Sequence, residues 1–328
     1  MPRGGVMKVL VLHSDVPPDA PPEDQDTLIA AEAISKALIS RGYEAPLASF
    51  VPDLETLRAL VTHHAPAMVF NMVEGIEGKG RLAYVAPRLL DEIGIPYTGT
   101  GAEALIATSD KPLSKRMFRE AALPTPDWSE PPDWNGLYAD APYIVKSADE
   151  DASVGLDDSS VVAGRDVPAR AELCAGRFGG PWFAERYIDG REFNIAVLQE
   201  GGGPRVLPMA EMTFEEWPRN RPKIVGYIAK WDDASFESIR TVRKFGIEER
   251  EPELALALRH YSECAWSVFE LRGTARVDFR VDSGGNPFLL EVNPNPGIAP
   301  DAGFAAAANR AGLSYAELIE KIVLAALP

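Results

Sequence analysis

Cysteine and histidine are scarce in this chain of 328 residues, which has two Cys and four His. Cys174 and Cys264 cannot build a disulfide framework, and neither has the closely spaced His or Cys partners that a zinc site needs. Both lie in apolar, helix-like stretches, so buried free thiols in a reducing compartment are expected. His13, His63, His64 and His260 show neither metal spacing nor a partnered nucleophile. No apolar run approaches the roughly 18–20 residues of a membrane span. No apolar signal segment with a cleavage site opens the chain either, and Met1 to Gly5 read as an irregular leader. A cytoplasmic protein without membrane contact is expected. Basic residues are the minority, 33 Lys plus Arg against 49 Asp plus Glu, for a net charge of −16. That balance argues against a general nucleic-acid binder, whose affinity needs a basic surface facing the phosphates. A few local cations can still hold a small anion. No Walker A sequence occurs.

What is present suffices for a core: 46% hydrophobic residues, in a length that suits two or three domains. Lys8 to Leu12 is an apolar run fit for one buried strand. A Pro/Asp/Glu-rich loop is expected from Pro17 to Asp26, then a helix through Leu28, Ile34 and Leu38 to Gly42. Ala67 to Phe70 reads as a second strand, and Leu82 to Ile93 as a helix ended by Gly94. This alternation predicts a small α/β domain with a parallel sheet. Helix resumes at Ser109 and must stop near Leu123-Pro-Thr-Pro126. Strands are expected at Tyr143 to Lys146, Trp182 to Tyr187, Phe193 to Leu198 and Arg205 to Met209. An amphipathic helix is expected from Pro252 to Arg272, and a terminal helix from Tyr315 to Ala326. Gly99-Thr-Gly-Ala-Glu-Ala104 fits a relaxed dinucleotide-binding pattern. Its place far along the chain, with Glu120 inside a helix, makes it a tight turn before a helix.

The stretch from Ala275 to Gly297 says most. Ser283-Gly-Gly-Asn286 is a turn cluster between two alternating segments, a hairpin signal. If Asp282 faces Pro287, Asp278 lies opposite Glu291 and Arg276 opposite Asn293. These four then share one face, while Val277, Phe279, Val281, Phe288, Leu290 and Val292 share an apolar one. Opposed side chains have Cβ atoms about 4.5–5.5 Å apart, so two carboxylates there need a shared proton or a cation. Asn293 adds a third hard oxygen, and an oxygen-only set suits Mg²⁺, or Mn²⁺ in its place. A solvated polar face is the alternative reading of the same pattern.

The hairpin, with Asp278, Glu291-Val-Asn293 and then Pro294-Asn-Pro-Gly297, resembles the C-terminal motif of ATP-grasp ligases, D-alanine–D-alanine ligases above all. Gly94-Ile-Pro-Tyr-Thr-Gly99 with Thr108-Ser-Asp-Lys111, Ile144-Val-Lys146 with Ser153-Val-Gly155, Glu185 to Glu192, and Ala229-Lys230 fall in the family's order. The resemblance covers nearly the whole chain, loosely before Gly94. It implies an α/β fold, α+β in its C-terminal parts: an ATP-grasp fold with an N-terminal Rossmann-like preATP-grasp domain. The parts would be residues 1–107, a central subdomain 108–188 and a C-terminal subdomain 189–328. It further implies ATP held by Lys111, Lys146 and Lys230 on the phosphates, by a closing loop at Ser153 whose glycine permits close approach, by Glu185 and the backbone to Ile188 at the adenine, and by Glu192 at the ribose. Asp278, Glu291 and Asn293 would hold the metal. Arg276 would steady the transferred phosphoryl group, and the Gly297 amide would face the oxyanion.

The implied reaction joins a carboxylate to an amine through an acyl phosphate, with ADP released. The implied partners are small-molecule carboxylates and amines, amino acids foremost, and a homodimer is suggested by analogy alone. The amino-acid side departs from the family pattern. Gln25 falls where an acid is expected, with Glu23 or Asp26 as substitutes. The segment Asn71 to Arg81 has no histidine, though Glu74, Glu77 and Arg81 suit a charged substrate. Trp231 stands in place of the usual Tyr, and Ala302 in place of a serine. Two alternatives stay open: a ligase for a different amino acid or natural-product intermediate, or a nucleotide-binding regulatory module without catalysis.

Overall fold

The computed structural model describes residues 6–17, 19–20, 22–150 and 153–327, except for the side chains of 22–24, so Met1–Gly5 and the Glu23 carboxylate lie outside it. β1 (Val9–His13), β2 (Leu47–Ser49) and β3 (Met68–Met72) form a parallel sheet in the order β2-β1-β3. β1 is apolar on both faces because both are covered. Val9 and Val11 pack on α1 (Pro22–Ser40), and Leu10 and Leu12 face α2 (Leu54–His64) and α3 (Val85–Ile93). α1 starts at Pro22, inside the expected loop. Proline's fixed φ suits a first helical turn. The expected helix at Leu82 opens as a 3₁₀ turn, Gly80–Leu82, and becomes α from Val85. α4 (Ala102–Ser109) follows a turn at Gly99, where φ is +86° and a Cβ would stand 2.2 Å from Asn295 Oδ1.

α5 (Lys111–Glu120), capped by Asp110 accepting the Leu113 N–H at 2.8 Å, leads to a second sheet. Its strands are β4 (Trp128–Ser129), β5 (Pro142–Ser147), β6 (Val161–Ala163) and, after α6 (Val167–Phe178), β7 (Trp182–Arg186). They are antiparallel, in the order β4-β7-β5-β6. The two-residue period divides them: Tyr143, Val145, Trp182 and Ala184 pack with Val167 and Cys174, and Ile144, Lys146 and Glu185 turn to the opposite face.

The third sheet is the largest. It comprises β8 (Arg191–Glu200), β9 (Gly203–Val206), β10 (Ala210–Phe214), and, after α7 (Tyr227–Trp231) and α8 (Phe236–Arg240), β11 (Thr241–Lys244). After α9 (Ile247–Arg250) and α10 (Pro252–Val268) come β12 (Thr274–Val281) and β13 (Pro287–Pro294). The order is β11-β10-β8-β12-β13, with β9 beside β8. The strand expected at Arg205 to Met209 ends at Val206. α10 stops at Val268, because Glu270 and Gly273, at φ +50° and +71°, turn the chain into β12. Cys174 is buried as expected, but Cys264 is half-exposed on α10 beside His260.

The hairpin pairs Arg276 with Asn293 and Asp278 with Glu291, then slips by a bulge. Val281 rather than Asp282 faces Pro287, because Asp282 caps the turn, accepting the Gly284 and Asn286 N–H groups at 2.9 and 2.8 Å. Leu289 therefore enters the core, while Phe288 and Leu290 leave the apolar face assigned to them. Val277, Phe279, Val281 and Val292 do pack into that core with α10, each burial stabilising by about 1.5–3 kcal/mol. α11 (Gly303–Arg310) and α12 (Tyr315–Ala325) close the chain and pack against α1.

Candidate active site

The polar faces of the second and third sheets and the carboxyl ends of the first border one cavity of about 1200 Å³. Lys111, Lys146, Ser153, Glu185, Ile188, Glu192, Lys230, Arg276, Asp278, Glu291, Asn293 and Gly297 all line it. They come from strands of two sheets, from three loops and, for Lys111 and Lys230, from α5 and α7, so the sheets' alternation brings only part of the set together. A Cβ at Gly297 would meet nothing within 4 Å, so its backbone borders open cavity.

Charge concentrates on the hairpin. Arg276 grips Asp278 with two arms, Nε to Oδ1 at 2.8 Å and a terminal nitrogen to Oδ2 at 2.8 Å. Asn194 donates to Asp278 at 2.9 Å. The Asn293 amide donates to both carboxylates, at 3.2 Å to Asp278 and 3.3 Å to Glu291. Burial opposes ionising Glu291, yet Lys111, Lys146, Arg276 and Lys230 together hold its pKa at about 2. Burial, with Arg276, lowers the Lys230 pKa. No group of three or more His, Cys, Asp and Glu suited to a metal ion occurs among the described residues. The fit to Mg²⁺ rests instead on two carboxylates and one amide converging, with a donor already bridging the acids where a cation would stand.

The cations beneath β5 and β7 are built around Glu185, which is 1% exposed. Its carboxylate is ion-paired with Lys115 and, at 2.5 Å, with Lys146. Burial disfavours its charge, but the two ammonium groups prevail and its pKa lies below the ordinary carboxylate value. Lys115, 0% exposed, was not singled out from the sequence. On a helix with Lys111, Arg116 and Arg119 it reads as one more solvated base. Lys111 Nζ donates to the Glu150 carbonyl at 2.8 Å.

Two loops meet over the cavity. Ser153, at φ +61°, donates its hydroxyl to the Val225 carbonyl at 3.1 Å, and Tyr227 N–H reaches the Leu156 carbonyl at 3.2 Å. Gly155 was expected to allow close approach to a phosphate; its bare side instead packs on Trp182 and Phe178, whose atoms a Cβ would meet at 2.7 and 2.9 Å.

The cavity is also lined by Asp26, Asn71, Glu74, Glu77, Trp231, Asp301 and Ala302. Glu74 is anchored by its N–H to Ser14 Oγ at 3.0 Å and by Thr27 donating to its carboxylate at 3.2 Å. Burial, then Asp301, raises the Asp26 pKa. Gln25 donates to the Pro17 carbonyl at 2.9 Å. Arg81 pairs with Asp149 at 3.4 Å and does not border the cavity. Arg243 and Arg280 do border it, and sequence reasoning passed over both. The two-residue period from Arg276 marks Arg280. Arg243, whose guanidinium lies against Gly303 at the start of α11, carries no comparable signal. His13 turns its Nδ1 to the Ser14 carbonyl, and Ser14 rather than His13 reaches the cavity.

The family model "D-ala D-ala ligase C-terminus" matches residues 137–324. A D-alanine–D-alanine ligase from Chromohalobacter salexigens is 31% identical over 92% of this chain and 90% of that protein. An uncharacterized protein, y4sG, from Sinorhizobium fredii is 34% identical over 78% of this chain and 73% of that one. The crystal structure of a Bacillus anthracis D-alanine–D-alanine ligase complexed with ATP superposes with a TM-score of 0.72 at 19% identity, covering 98% of this chain and 97% of that one. No helix among the described residues is long and apolar enough to cross a membrane. By the family match and the relatives together, this chain belongs to the D-alanine–D-alanine ligase family of ATP-grasp enzymes, ATP-dependent ligases that form carbon–nitrogen bonds.

Proposed function

We propose that the chain joins the carboxylate of one amino acid to the amine of another, forming ADP and phosphate, with the residues around the cavity in the following roles. Lys111, Lys146 and Lys230 bind the triphosphate as point charges. Glu185, the Ile188 backbone and Leu290 receive the adenine, and Glu192 the ribose. Asp278, Glu291 and Asn293 would hold Mg²⁺, which when bound supplies charge to the phosphate oxygens. The carboxylate substrate attacks the γ-phosphorus, and ADP leaves. The amine then attacks the acyl phosphate carbon and phosphate leaves, while Arg276 and the Gly297 N–H face the oxygen on which charge grows.

Glu291 carries this reading. A carboxylate that lines a cavity facing three lysines and an arginine, opposite a second carboxylate, is the arrangement a polyphosphate–metal pair requires, and a solvated hairpin face would not collect so many cations around it. Asp26, Glu74, Glu77 and Asp301 line the substrate end, with Ala302 in place of a hydroxyl. These acids can receive the ammonium group that every amino acid carries, and the departures at Gln25, Trp231 and Ala302 are what favour substrates other than D-alanine. Glu291→Gln should abolish ADP formation while circular dichroism stays native; retained turnover would defeat the metal assignment. A panel of D- and L-amino acids, singly and in pairs, scored by phosphate release, should give its highest rate with a non-alanine pair. A maximum with D-alanine alone would overturn the substrate reading and leave the ligase reading intact.

A further inference from the structure

Arg280 is 4% exposed, borders the cavity and is bound on several sides. Nε donates to the Ile188 carbonyl at 3.1 Å, one terminal nitrogen to Glu192 Oε2 at 3.1 Å, and the other to the Lys223 carbonyl at 2.7 Å and to Tyr187 Oη at 3.3 Å. Tyr187 Oη in turn accepts the Lys223 N–H at 2.9 Å. Arg280 and Glu192 are directly opposed residues of β12 and β8. One side chain therefore joins the connection after β7, the acid at the start of β8, and the segment that runs on to Lys230.

We infer that Arg280 is a positioning residue for nucleotide selection: it holds the Glu192 carboxylate in place for the ribose hydroxyls and locks that carboxylate to the backbone at Ile188. The inference rests on the nucleotide reading proposed above, within which it adds a determinant of ribose specificity. A carboxylate that accepts two vicinal hydroxyls must keep its plane fixed, and a long Glu side chain does not fix it unaided. The rigid guanidinium fork does, because its other donors are already committed to backbone carbonyls of two segments. An arginine needed only for packing could spend every donor on carbonyls. This one gives a terminal nitrogen to a carboxylate that faces the cavity.

The test is calorimetric binding of MgADP and of Mg-2′-deoxyADP to the full chain and to Arg280→Met, Glu192→Gln and the double variant, with melting curves to verify folding. Methionine fills the space without the charge. Arg280→Met should weaken MgADP binding about 10- to 100-fold, as expected for a lost charge-assisted hydrogen bond network, and should weaken 2′-deoxyADP binding less, so that the preference for the ribonucleotide shrinks. The ribose preference should fall to that of Glu192→Gln, with no further fall in the double variant. If Arg280→Met does not fold, Arg280→Lys, which keeps charge but loses the fork, should show the same erosion of preference. A wild-type preference in a folded Arg280 variant, alongside a lost preference in Glu192→Gln, would overturn the inference while sparing the ribose role of Glu192. A wild-type preference in Glu192→Gln would remove that role, and the inference with it.

Discussion

Lys115→Met should loosen, from beneath, the end of the cavity where adenine is proposed to bind. Lys115 is 0% exposed and Glu185 1% exposed, so neither charge has recourse to water. Lys115 pairs with Glu185 and donates to Thr125 Oγ1 at 3.0 Å, and Thr125 donates to the Leu289 carbonyl at 2.8 Å. Methionine keeps the length of the stem and removes the ammonium. Deleting one partner of a buried pair costs about 3–5 kcal/mol, chiefly because the other charge is left uncompensated. Here Lys146 remains 2.5 Å from the carboxylate, which places the loss near the lower end, about 3 kcal/mol. That is a large share of the roughly 5–15 kcal/mol that holds a typical domain together. Urea denaturation followed by tryptophan fluorescence would measure it as a lower midpoint at constant slope. Combining Lys115→Met with Glu185→Gln should cost clearly less than the two single losses together, since the stranded charge is then gone. A loss under about 1 kcal/mol, or strict additivity, would refute the view of Glu185 as an acid held by two lysines.

Gly226→Val should separate the two loops over the cavity, because a Cβ there would stand 2.7 Å from the Leu156 carbonyl oxygen. Nucleotide binding should weaken about tenfold, and nucleotide should no longer protect residues 215–240 from limited proteolysis; unchanged protection would contradict the contact. Gly190→Ala places a Cβ 2.0 Å from the Val281 carbonyl oxygen, backbone against backbone. It should destabilise by on the order of 3 kcal/mol, read as a lower melting temperature; a melting curve like the parent's would show that β8 and β12 part more easily than their geometry implies.

The pairing of Asp278 with Glu291 came out as read because two departures cancel: Val281 rather than Asp282 faces Pro287, which shifts the register by one residue, and the bulge at Leu290 shifts it back. The bulge itself was not legible. It follows from Asp282 leaving the ladder to cap the turn and from Leu289 N–H bonding the Pro124 carbonyl at 2.8 Å, a contact made far away in sequence. Arg280 sat on the legible face, but alternation does not say whether a third polar residue meets solvent, a ligand or another side chain. Lys115 shows the opposite difficulty, since burial of a lysine depends on a distant acid on another strand. The start of α1 was hidden by composition, for Pro, Asp and Glu mark a loop and a helix N-terminus equally well.

Leu318, Ile319, Ile322 and Val323 of α12 share one apolar cluster with Ile34 and Leu38 of α1 and Val9 and Val11 of β1. The last helix of the polypeptide is thus a wall of the room in which the first strand is housed. The stretch between β4 and β7 has a separate small core of its own, around Tyr143 and Cys174. Trimming α12 would strip apolar cover from α1 and β1, and would also remove Ile322 from the cavity wall. The first sheet therefore depends on the last helix for part of its apolar cover.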